Sequence, residues 1–323
     1  MIVTFTPNPS LDRTIELEGR LARGDVQRAV RARQEPGGKG VNICRALDAS
    51  GVKCLAILPG DQEDPVLLAL HAHEIPHLGL PIGARLRSNV AITEPDGTTT
   101  KVNEPGPALT AERQGALVAL LLEKADGASW VVLAGSLPPG VPADFYAVIT
   151  RELRARFGPK APKVAIDSSG APLAAALAAG PDLLKPNAEE LAELTGRSDG
   201  ARLEADPQLA AQVAGQLVHA GVGAVLATLG SKGAVLVTAA GSWFGQGPKI
   251  VARSTVGAGD CALAGYLLSN VAGASAPDSL RQAVAHGAAA ASLPGSTVPA
   301  LSQTQPDAVR VTMVGSDPRK VAP

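Results

Sequence analysis

The amino-acid sequence predicts an α/β protein with a central, mostly parallel sheet flanked by helices and a small antiparallel β-lid. Short, continuously apolar runs alternate with longer helical patterns over most of the 323 residues. Such runs are typical of strands buried on both faces of a parallel sheet, and their alternation with helices favours a helix-covered sheet. Two other segments alternate polar and apolar residues, as antiparallel strands with one solvated face do. We therefore expect one domain over residues 1–314, with a lid assembled from about 12–34 and 88–104.

The predicted elements follow one another as strand and helix in turn. A strand-like run opens the chain at residues 2–6. Further buried strands are expected at 54–58, 130–133, 163–166 and 224–228. Helical patterns cover 111–125, 143–157, 209–220 and 280–293. The polar, proline-rich tail 315–323 is expected to be disordered.

The lid strands are predicted from two insertions that lie far apart in the sequence. Residues 13–17 and 26–33 carry the first alternating pattern, and residues 89–102 carry the second around Asp96-Gly97. An Asp-Gly pair between alternating segments is a strong signal for a tight hairpin. The two insertions should therefore form a separate sheet with one face towards water or a ligand.

Composition excludes several classes of function. Hydrophobic residues make up 46% of the chain and the formal net charge is −1, so a globular core is expected and no global basic field recruits nucleic acid. No apolar run approaches the roughly 20 residues that span a bilayer, and the N-terminus lacks the pattern of a signal peptide. Without a CxxC pair, the three cysteines are interpreted as buried thiols of a reducing cytosol. A cytoplasmic protein without nucleic-acid or membrane partners is the expectation.

The most informative motif is Ser254-Thr255-Val256-Gly257-Ala258-Gly259-Asp260. It has the pattern of a strand end, a glycine turn and a carboxylate in the first turn of an apolar helix. Glycines let backbone N–H groups turn towards a ligand, and a helix N-terminus favours negative charge. Asp260 beside this cradle indicates a base that deprotonates a hydroxyl while the cradle holds a phosphoryl group. The alternative is an ordinary helix start with an acidic residue, and this stretch alone does not decide between the two.

Two polar motifs adjoin the lid segments. The first is the glycine-rich stretch Pro36-Gly37-Gly38-Lys39-Gly40-Val41-Asn42. Lys39 and Asn42 supply polar contacts near a helix start, but the stretch is not a Walker A loop because Gly40 stands where Ser or Thr is required. The second is Arg87, whose guanidinium is able to hold a phosphate or carboxylate with two hydrogen bonds. A glycine turn that caps a helix and a solvated arginine are the alternative interpretations.

Three more motifs follow predicted strands: Gly135-Ser136-Leu137-Pro138, Lys185-Pro186-Asn187-Ala188-Glu189-Glu190 and Thr228-Leu229-Gly230-Ser231-Lys232-Gly233. Ser136 follows the carboxyl end of a strand, where open α/β sheets bind ligands. Glu190 is suited to reach a hydrated Mg²⁺, while Asn187 and Glu190 also fit a capping box. The Mg²⁺ contact and the capping box are compatible interpretations of Glu190. The third motif is a hairpin-type loop whose glycines would admit a nucleotide.

Two motifs resemble sites that their context does not support. His73-Glu74-Ile75-Pro76-His77 matches the HExxH zinc pattern, but Pro76 disfavours the continuous helix that this chemistry requires. We expect a helix-to-strand turn there. Gly257, Gly259 and Ala262 match a dinucleotide fingerprint, but the nearest downstream acid, Asp278, is expected in a loop rather than at a second strand end.

In order and spacing, the motifs together resemble the ribokinase-like carbohydrate kinases of the PfkB family. Six stretches carry the resemblance: Gly37-Gly38-Lys39-Gly40, Arg87-Ser88-Asn89, Gly135-Ser136-Leu137-Pro138, Lys185-Pro186-Asn187 with Glu190, Thr228-Leu229-Gly230 and Gly257-Ala258-Gly259-Asp260. Two others resemble its sugar-phosphate branch, especially 1-phosphofructokinase: Thr6-Pro7-Asn8-Pro9-Ser10-Leu11-Asp12-Arg13 and Lys101-Val102-Asn103-Glu104-Pro105-Gly106. That branch also contains tagatose-6-phosphate kinase and the minor 6-phosphofructokinase.

The resemblance implies a role for each motif. The catalytic base would be Asp260, and the anion hole would be formed by Gly257, Ala258 and Gly259. Sugar hydroxyls would be held by Asp12, Gly37, Gly38 and Asn42. The sugar's existing phosphate would be contacted by Lys39 and Arg87, with Ser136 as a further contact. The ATP phosphates and Mg²⁺ would be served by Lys185, Asn187 and Glu190, with Glu190 acting through water. The nucleotide would lie against Thr228, Gly230, Lys232 and Gly233, with His286-Gly287 near the expected adenine pocket. Cys261 departs from the small hydroxyl residue or alanine expected after the base.

The reaction implied by this resemblance is in-line transfer of the γ-phosphoryl group of ATP to a sugar hydroxyl. Fructose 1-phosphate, converted to fructose 1,6-bisphosphate, is the expected substrate, with fructose 6-phosphate and tagatose 6-phosphate as alternatives. Alternatives of other classes are a hydride-transfer enzyme and a non-catalytic sugar-phosphate sensor, which could dispense with Asp260. The family also implies a homodimer formed through the β-lid.

Overall fold

A computed structural model of the chain describes residues 1–315. The tail predicted to be disordered, 315–323, lies outside the described residues from residue 316 onward. The strands are, in chain order, β1 (Ile2–Phe5), β2 (Ser10–Leu17), β3 (Ala29–Gly37), β4 (Cys54–Pro59), β5 (His77–Leu80), β6 (Arg87–Thr93), β7 (Thr99–Asn103), β8 (Trp130–Ala134), β9 (Lys163–Asp167), β10 (Leu183–Leu184), β11 (Ala224–Thr228), β12 (Ala234–Thr238), β13 (Gly241–Gln246) and β14 (Arg310–Met313).

The helices are α1 (Lys39–Ala49), α2 (Pro65–Ala72), α3 (Ala111–Lys124), α4 (Phe145–Phe157), α5 (Gly170–Ala176), α6 (Ala188–Leu194), α7 (Gly200–Ala205), α8 (Pro207–His219), α9 (Ala258–Val271) and α10 (Ala276–Ala291). Local signals explain several starts. Thr110 accepts a hydrogen bond from the Arg113 N–H and caps α3, and Asp206 caps α8, which begins at Pro207. Such caps satisfy N–H groups that have no partner inside the helix.

The main sheet confirms the predicted fold class. Its strand order is β14-β13-β12-β11-β10-β9-β8-β1-β4-β5. Every ladder from β5 to β11 is parallel, and the ladders from β11 to β14 are antiparallel. Successive side chains of the buried strands enter two apolar clusters: Val3 and Phe5 pack on one side, and Ile2 packs on the other. Burial on both faces therefore accounts for the continuous apolar runs in the sequence.

The second sheet, which we call the lid sheet, consists of β2, β3, β6 and β7 in the order β3-β2-β6-β7. A small separate sheet from two insertions was predicted and is observed. Its outer ladders, β2–β3 and β6–β7, are antiparallel as expected, whereas the central β2–β6 ladder is parallel. The reason is topological: each insertion makes its own hairpin, and β2 and β6 enter the lid sheet in the same direction.

One sequence-based expectation about a helix boundary is wrong. Asp278 was expected in a loop, but it lies in the first turn of α10, where Ser275 is the N-cap and Pro277 occupies the first turn. Proline is tolerated there because its missing N–H would have had no helical partner. The helix thus begins at Ala276, four residues before the predicted start.

The HExxH segment forms the expected helix-to-strand turn. Helix α2 ends at Ala72, His73 is its C-cap, and β5 begins at His77. The two imidazoles therefore do not share a helix face, which a zinc-binding HExxH motif requires. Within residues 1–315, no helix is long and apolar enough to cross a bilayer.

Candidate active site

Asp260 lies in the first turn of α9, as its motif predicts. The N-cap is Gly257, whose φ of 75° lies in the left-handed region that glycine adopts most easily. The Asp260 side chain is directed into a nearly closed environment, and the residue is 7% exposed. A Cβ at Gly259 would lie 3.3 Å from the Lys185 Nζ. The glycine turn, a helix N-terminus and a lysine therefore lie side by side, an arrangement that is suited to an anion.

The electrostatics of Asp260 suit a general base. Burial, followed by repulsion from Asp167, raises its pKa to about 6, against the opposing effects of Lys39, Asn42 and Lys185. The Asn42 Nδ2 donates a hydrogen bond of 2.9 Å to the Asp260 Oδ2. A base works best when its pKa lies near the operating pH. The pKa of the Asp260 carboxyl lies closer to neutral pH than that of an ordinary aspartate.

Asp167 is a charged residue that sequence reasoning missed. It ends β9, is fully buried, and its Oδ1 lies 2.6 Å from the Lys39 Nζ while its Oδ2 lies 3.2 Å from the Lys185 Nζ. Burial opposes ionisation of Asp167, but the two lysines outweigh it and hold its pKa below the usual value. The available signal was an acid at the carboxyl end of a parallel strand, where α/β sheets bind ligands.

Lys39 is surrounded by acidic side chains rather than standing alone. Its Nζ lies 3.7 Å from the Glu190 Oε1 in addition to its short contact with Asp167. Burial opposes its charge, yet Asp167, Glu190 and Asp260 raise the pKa of Lys39 above its ordinary value. The ammonium is therefore permanently charged, and its contact with the sugar's phosphate stays a prediction.

The Asn187–Glu190 pair forms the capping box that the sequence allowed. The Asn187 Oδ1 accepts from the Glu190 N–H at 2.8 Å, and the Glu190 Oε2 accepts from the Asn187 N–H at 2.8 Å. The backbone at Asn187 also bridges to Thr228 of β11. The carboxyl ends of β9, β10 and β11 thus bring Asp167, Lys185 and the Thr228 loop to one edge of the sheet.

The lid sheet presents Asp12 beside the glycine motif. Asp12 Oδ1 accepts hydrogen bonds from Ser10 Oγ at 2.7 Å and from Asn89 Nδ2 at 3.0 Å. Burial raises the pKa of Asp12 in spite of these donors. A Cβ at Gly37 would overlap the Asp12 carboxylate, so glycine is required there by close approach. Asp12 therefore lies directly against the glycine-rich motif, and their shared contact with sugar hydroxyls stays a prediction.

Asn8 connects the loop after β8 of the main sheet to the segment after β7 of the lid sheet, and Arg87 contacts that same segment. The Arg87 Nη1 donates to the Glu104 carbonyl at 3.2 Å, while its buried Nε has no hydrogen-bond partner among residues 1–315. The Asn8 Nδ2 donates to the Ser136 Oγ at 3.2 Å and to the Pro105 carbonyl at 3.1 Å. Sequence reasoning did not single out Asn8. Its contacts place the Ser136 loop beside the segment that follows β7, which also adjoins Arg87.

The Thr228–Gly233 segment is the predicted hairpin-type loop between the antiparallel strands β11 and β12. Gly230 and Gly233 have φ values of 51° and 121°, so both positions favour glycine. Lys232 is exposed. A small cavity lies beside α10 and is lined by apolar and small polar residues, among them Ile250, Ala288, Ala289 and Ser292. Sequence reasoning missed it.

His286 does not line that cavity. It is fully buried, its Nε2 lies 3.3 Å from the Ser50 Oγ, and its Nδ1 lies 2.8 Å from the Gln282 Nε2. Burial lowers the pKa of His286 to about 4, so the imidazole is neutral at physiological pH. His286 connects α1 and α10 inside the fold.

Cys261 is likewise buried, and burial raises the pKa of its thiol. We therefore interpret Cys261 as a packing residue.

Comparison with known proteins decides the family. The sequence of residues 6–303 matches the family model of the pfkB family carbohydrate kinases. The chain belongs to this family. It is 35% identical over 293 residues to a protein named 1-phosphofructokinase from Rhodobacter capsulatus, with 88% of each chain covered.

Solved structures agree with this membership of the pfkB family. Phosphofructokinase-2 from Escherichia coli in complex with fructose-6-phosphate superposes with a TM-score of 0.81 at 28% identity, covering 94% of this chain and 96% of the other. The inhibited form of that enzyme is described as tetrameric. Ribokinase from Thermotoga maritima superposes with a TM-score of 0.73 at 18% identity, covering 94% and 97%, which shows the ribokinase-like fold.

Membership makes the protein a sugar kinase, a phosphotransferase with an alcohol acceptor, and its homologues support a sugar phosphate as the acceptor. Kinases of this family use ATP. The contacts described above bring Lys39, Asn42, Lys185, Glu190 and Asp260 together around Asp167. Asp167, Asn8 and the cavity beside α10 are additions from the structure.

Proposed function

We propose that the protein transfers the γ-phosphoryl group of ATP to fructose 1-phosphate and forms fructose 1,6-bisphosphate. The observation that carries this proposal is the buried Asp260 at the N-terminus of α9, with its pKa raised to about 6. A carboxylate in that position is able to accept the proton of a primary hydroxyl while the adjacent N–H groups face the transferred phosphoryl group. The name of the Rhodobacter relative supports the choice of sugar phosphate.

The chain's own residues supply the electrostatic part of the reaction. By this proposal the backbone N–H groups at Gly257 and Gly259, at the N-terminus of α9, stabilise negative charge on the equatorial oxygens. The Ala258 N–H, which the resemblance also placed in the anion hole, donates to the Thr255 carbonyl at 3.4 Å. Lys185 lies beside Gly259 and balances the same charge. Asp167, held between two lysines, keeps both ammonium groups in place before substrate binds. This preorganisation lowers the barrier because no dipole must turn during the transfer.

The residues present also fit a hydrated Mg²⁺. The Glu190 Oε2 is used by the capping box, while its Oε1 has only the Lys39 Nζ nearby at 3.7 Å. A single available carboxylate oxygen beside the phosphate site matches the preference of Mg²⁺ for one or two carboxylates, water and substrate phosphates. Such an ion would neutralise charge on the ATP phosphates. We propose that Glu190 holds it through water.

We further propose that Asp12, Gly37, Gly38 and Asn42 hold the sugar hydroxyls, and that Arg87, Lys39 and Ser136 face its phosphate. The Thr228–Gly233 segment, with Gly230 and Lys232, would lie along the nucleotide. Support for the sugar phosphate comes from Arg87, whose buried Nε has no hydrogen-bond partner in the part of the chain that the structure describes. A guanidinium is suited to bind a phosphate with two donors. The family match over residues 6–303 supports one kinase domain over 1–314.

Replacement of Arg87 tests the position of the sugar's phosphate. We expect Arg87→Ala to raise KM for the sugar phosphate at least tenfold and to leave KM for ATP nearly unchanged, because a charge-assisted hydrogen bond contributes about 1.5–3 kcal/mol. Steady-state kinetics with each substrate varied in turn measures both constants. Equal changes in the two constants would place the sugar's phosphate elsewhere.

The substrate itself is tested by a panel of sugar phosphates in a coupled assay of ADP release. Fructose 1-phosphate should give the highest kcat/KM. Fructose 6-phosphate is the second candidate, because the E. coli relative was solved in complex with it, and tagatose 6-phosphate is the third.

The role of the base is tested by Asp260→Ala, which should lower kcat by about 10²–10⁴. Binding of a sugar phosphate without turnover by the wild type would indicate the sensor instead.

We also propose that the lid sheet pairs two copies of the chain into a homodimer. The strand register places Asp12, Glu35 and Asn89 on one face of the lid sheet. The opposite face carries apolar side chains, among them Ile15, Val90, Ile92 and Val102. Arg13, which is paired with Val90, lies on the same face. Val102 is 58% exposed, and a mainly apolar face of this kind is typical of an interaction surface.

A further inference from the structure

The Asn42 amide lies between two charged side chains inside the protein. Its Nδ2 donates to the Asp260 Oδ2 at 2.9 Å, and its Oδ1 accepts from the Arg45 Nη1 at 3.4 Å. Asn42, Arg45 and Asp260 are 5%, 6% and 7% exposed. Water therefore does not compete strongly for these groups, and the charges on either side act on the amide at short range.

The charges of Arg45 and Asp260 together decide which way the Asn42 amide points. A guanidinium has only donors and an ionised carboxylate has only acceptors. If the Asn42 amide were turned over, its NH₂ group would face the guanidinium and its oxygen would face the carboxylate, so that both contacts would be repulsive. With Arg45 in place, only one orientation is favourable, and in that orientation the amide donates to Asp260.

Arg45 is itself held by the lid sheet and by a distant loop. Its Nη1 donates to the carbonyls of Pro36 at 3.2 Å and Ser296 at 3.3 Å, and its Nη2 lies 3.3 Å from the Glu35 Oε1. The Glu35 Oε2 accepts from the Ser296 Oγ at 2.6 Å. Glu35 stands on β3 opposite Asp12 of β2. A continuous chain of polar contacts thus joins the lid sheet to Asp260.

We propose that Arg45 is a positioning residue for phosphoryl transfer: it fixes the Asn42 amide as a donor to Asp260, and through Glu35 it couples that orientation to the position of lid strand β3. The inference rests on the proposed function of Asp260 as the base. Arg45 touches neither the base nor, by this proposal, the substrates, and it acts through Asn42.

The charged groups that face Asp260 predict the sign of the effect. Lys39 on α1 and Lys185 after β10 favour its ionised form, whereas Asp167 at the end of β9 opposes it. On α10, the neutral His286 packs against Gly265, further along α9. The Asn42 donor also favours the ionised form. Loss of that donor should therefore make Asp260 harder to ionise and move the acidic limb of activity to higher pH.

The test compares Arg45→Met, Arg45→Lys and the wild type in the pH dependence of kcat between pH 5 and 9. In Arg45→Met the acidic limb should move up by about one pH unit, since a hydrogen bond to a charged group contributes about 1.5–3 kcal/mol. Activity should recover above pH 8. Arg45→Lys keeps the positive charge, so its acidic limb should move by less than that of Arg45→Met. Arg281→Met is the matched control: Arg281 donates to the Val309 carbonyl at 2.7 Å, and its loss should lower Tm without moving the limb.

A limb that stays in place while kcat falls equally at every pH would overturn the proposal and leave Arg45 a structural residue. If Arg45→Met does not fold, Glu35→Gln provides the second variant, with a smaller shift expected in the same direction. Titration of the Asp260 carboxyl by ¹³C NMR, assigned with Asp260→Asn, needs no substrate. A shifted titration in a protein that phosphorylates no sugar would contradict the proposed function alone, whereas an unshifted titration in an active kinase would contradict the role of Arg45 alone.

Discussion

At the scale of single residues, Asp260 connects burial to activity. Removal from water raises its pKa to about 6, and Asp167 adds to the increase. We predict that kcat/KM falls tenfold for each pH unit below about 6, because the protonated carboxyl cannot accept the hydroxyl proton. An aspartate with its ordinary pKa would hold activity down to about pH 4. Initial rates between pH 5 and 8 in a constant-ionic-strength buffer measure this acidic decrease in kcat/KM. A decrease that begins only near pH 4 would contradict the prediction.

The same shift has a consequence for stability with a defined sign. Between the unfolded pKa of about 4 and the folded pKa of about 6, the folded chain binds the Asp260 proton more tightly than the unfolded chain. The contribution of this carboxyl to the free energy of unfolding therefore decreases as pH rises through that window. Asp260→Asn lacks a titrating group and should lose this part of the pH dependence in urea unfolding, which provides the control.

Sequence reasoning reached some of these residues and not others. Asp260, Asn42 and Glu190 stand in motifs whose glycines and spacing indicate a ligand site. Asp167 has only the weaker signal of an acid at the carboxyl end of a strand, and Arg45 has none, because an arginine in an apolar helix is common. Their importance comes from which charges the fold places within a few ångströms of them.

At the scale of elements, the contact between α9 and α10 controls the position of the base. A Cβ at Gly265 would lie 2.6 Å from the Gln282 carbonyl and 2.9 Å from the His286 Cβ, so the helices touch through a glycine. Gly265→Ala should separate them and lower the free energy of unfolding by about 1–3 kcal/mol. Because α9 carries Asp260, kcat should fall as well. Urea unfolding and initial rates measure the two effects.

Gly115 supplies the matched control for that substitution. It lies within α3, is exposed, and a Cβ there would meet nothing within 4 Å. Gly115→Ala should raise stability by about 0.5–1 kcal/mol, since alanine loses less backbone entropy on entering a helix. Similar losses of stability in the two variants would show that the α9–α10 contact is not the cause.

The elements were predicted unequally well. Long apolar strands and long helices were placed correctly to within a few residues because burial on two faces leaves an unmistakable pattern. The short strand β10, with two residues, and the edge strands β5 and β14 carry little pattern of their own. The parallel β2–β6 ladder was missed because alternation indicates a half-buried strand but not the direction of its partner.

At the scale of the whole molecule, the apolar face of the lid sheet predicts association. We expect a dimer in multi-angle light scattering at micromolar concentration, and we expect Val102→Glu to convert it to a monomer, because the interface would bury an unpaired charge. Val251→Glu is the control, since Val251 is 86% exposed and lies outside the lid sheet. A wild type that is already monomeric, or a Val102→Glu variant with unchanged mass, would contradict assembly through this face.

The sequence by itself determined the α/β class, the long buried strands and long helices, the separate small sheet and the six motifs, because hydrophobic periodicity and glycine placement are local properties. Only the tertiary structure decided the charge network: the Lys39–Asp167–Lys185 contacts and the chain from Glu35 through Arg45 to Asp260 join residues as far apart as 218 positions, the separation of Asn42 and Asp260. Electrostatic energies depend on distance in space and on exclusion of water, and neither quantity is written in the local order of residues.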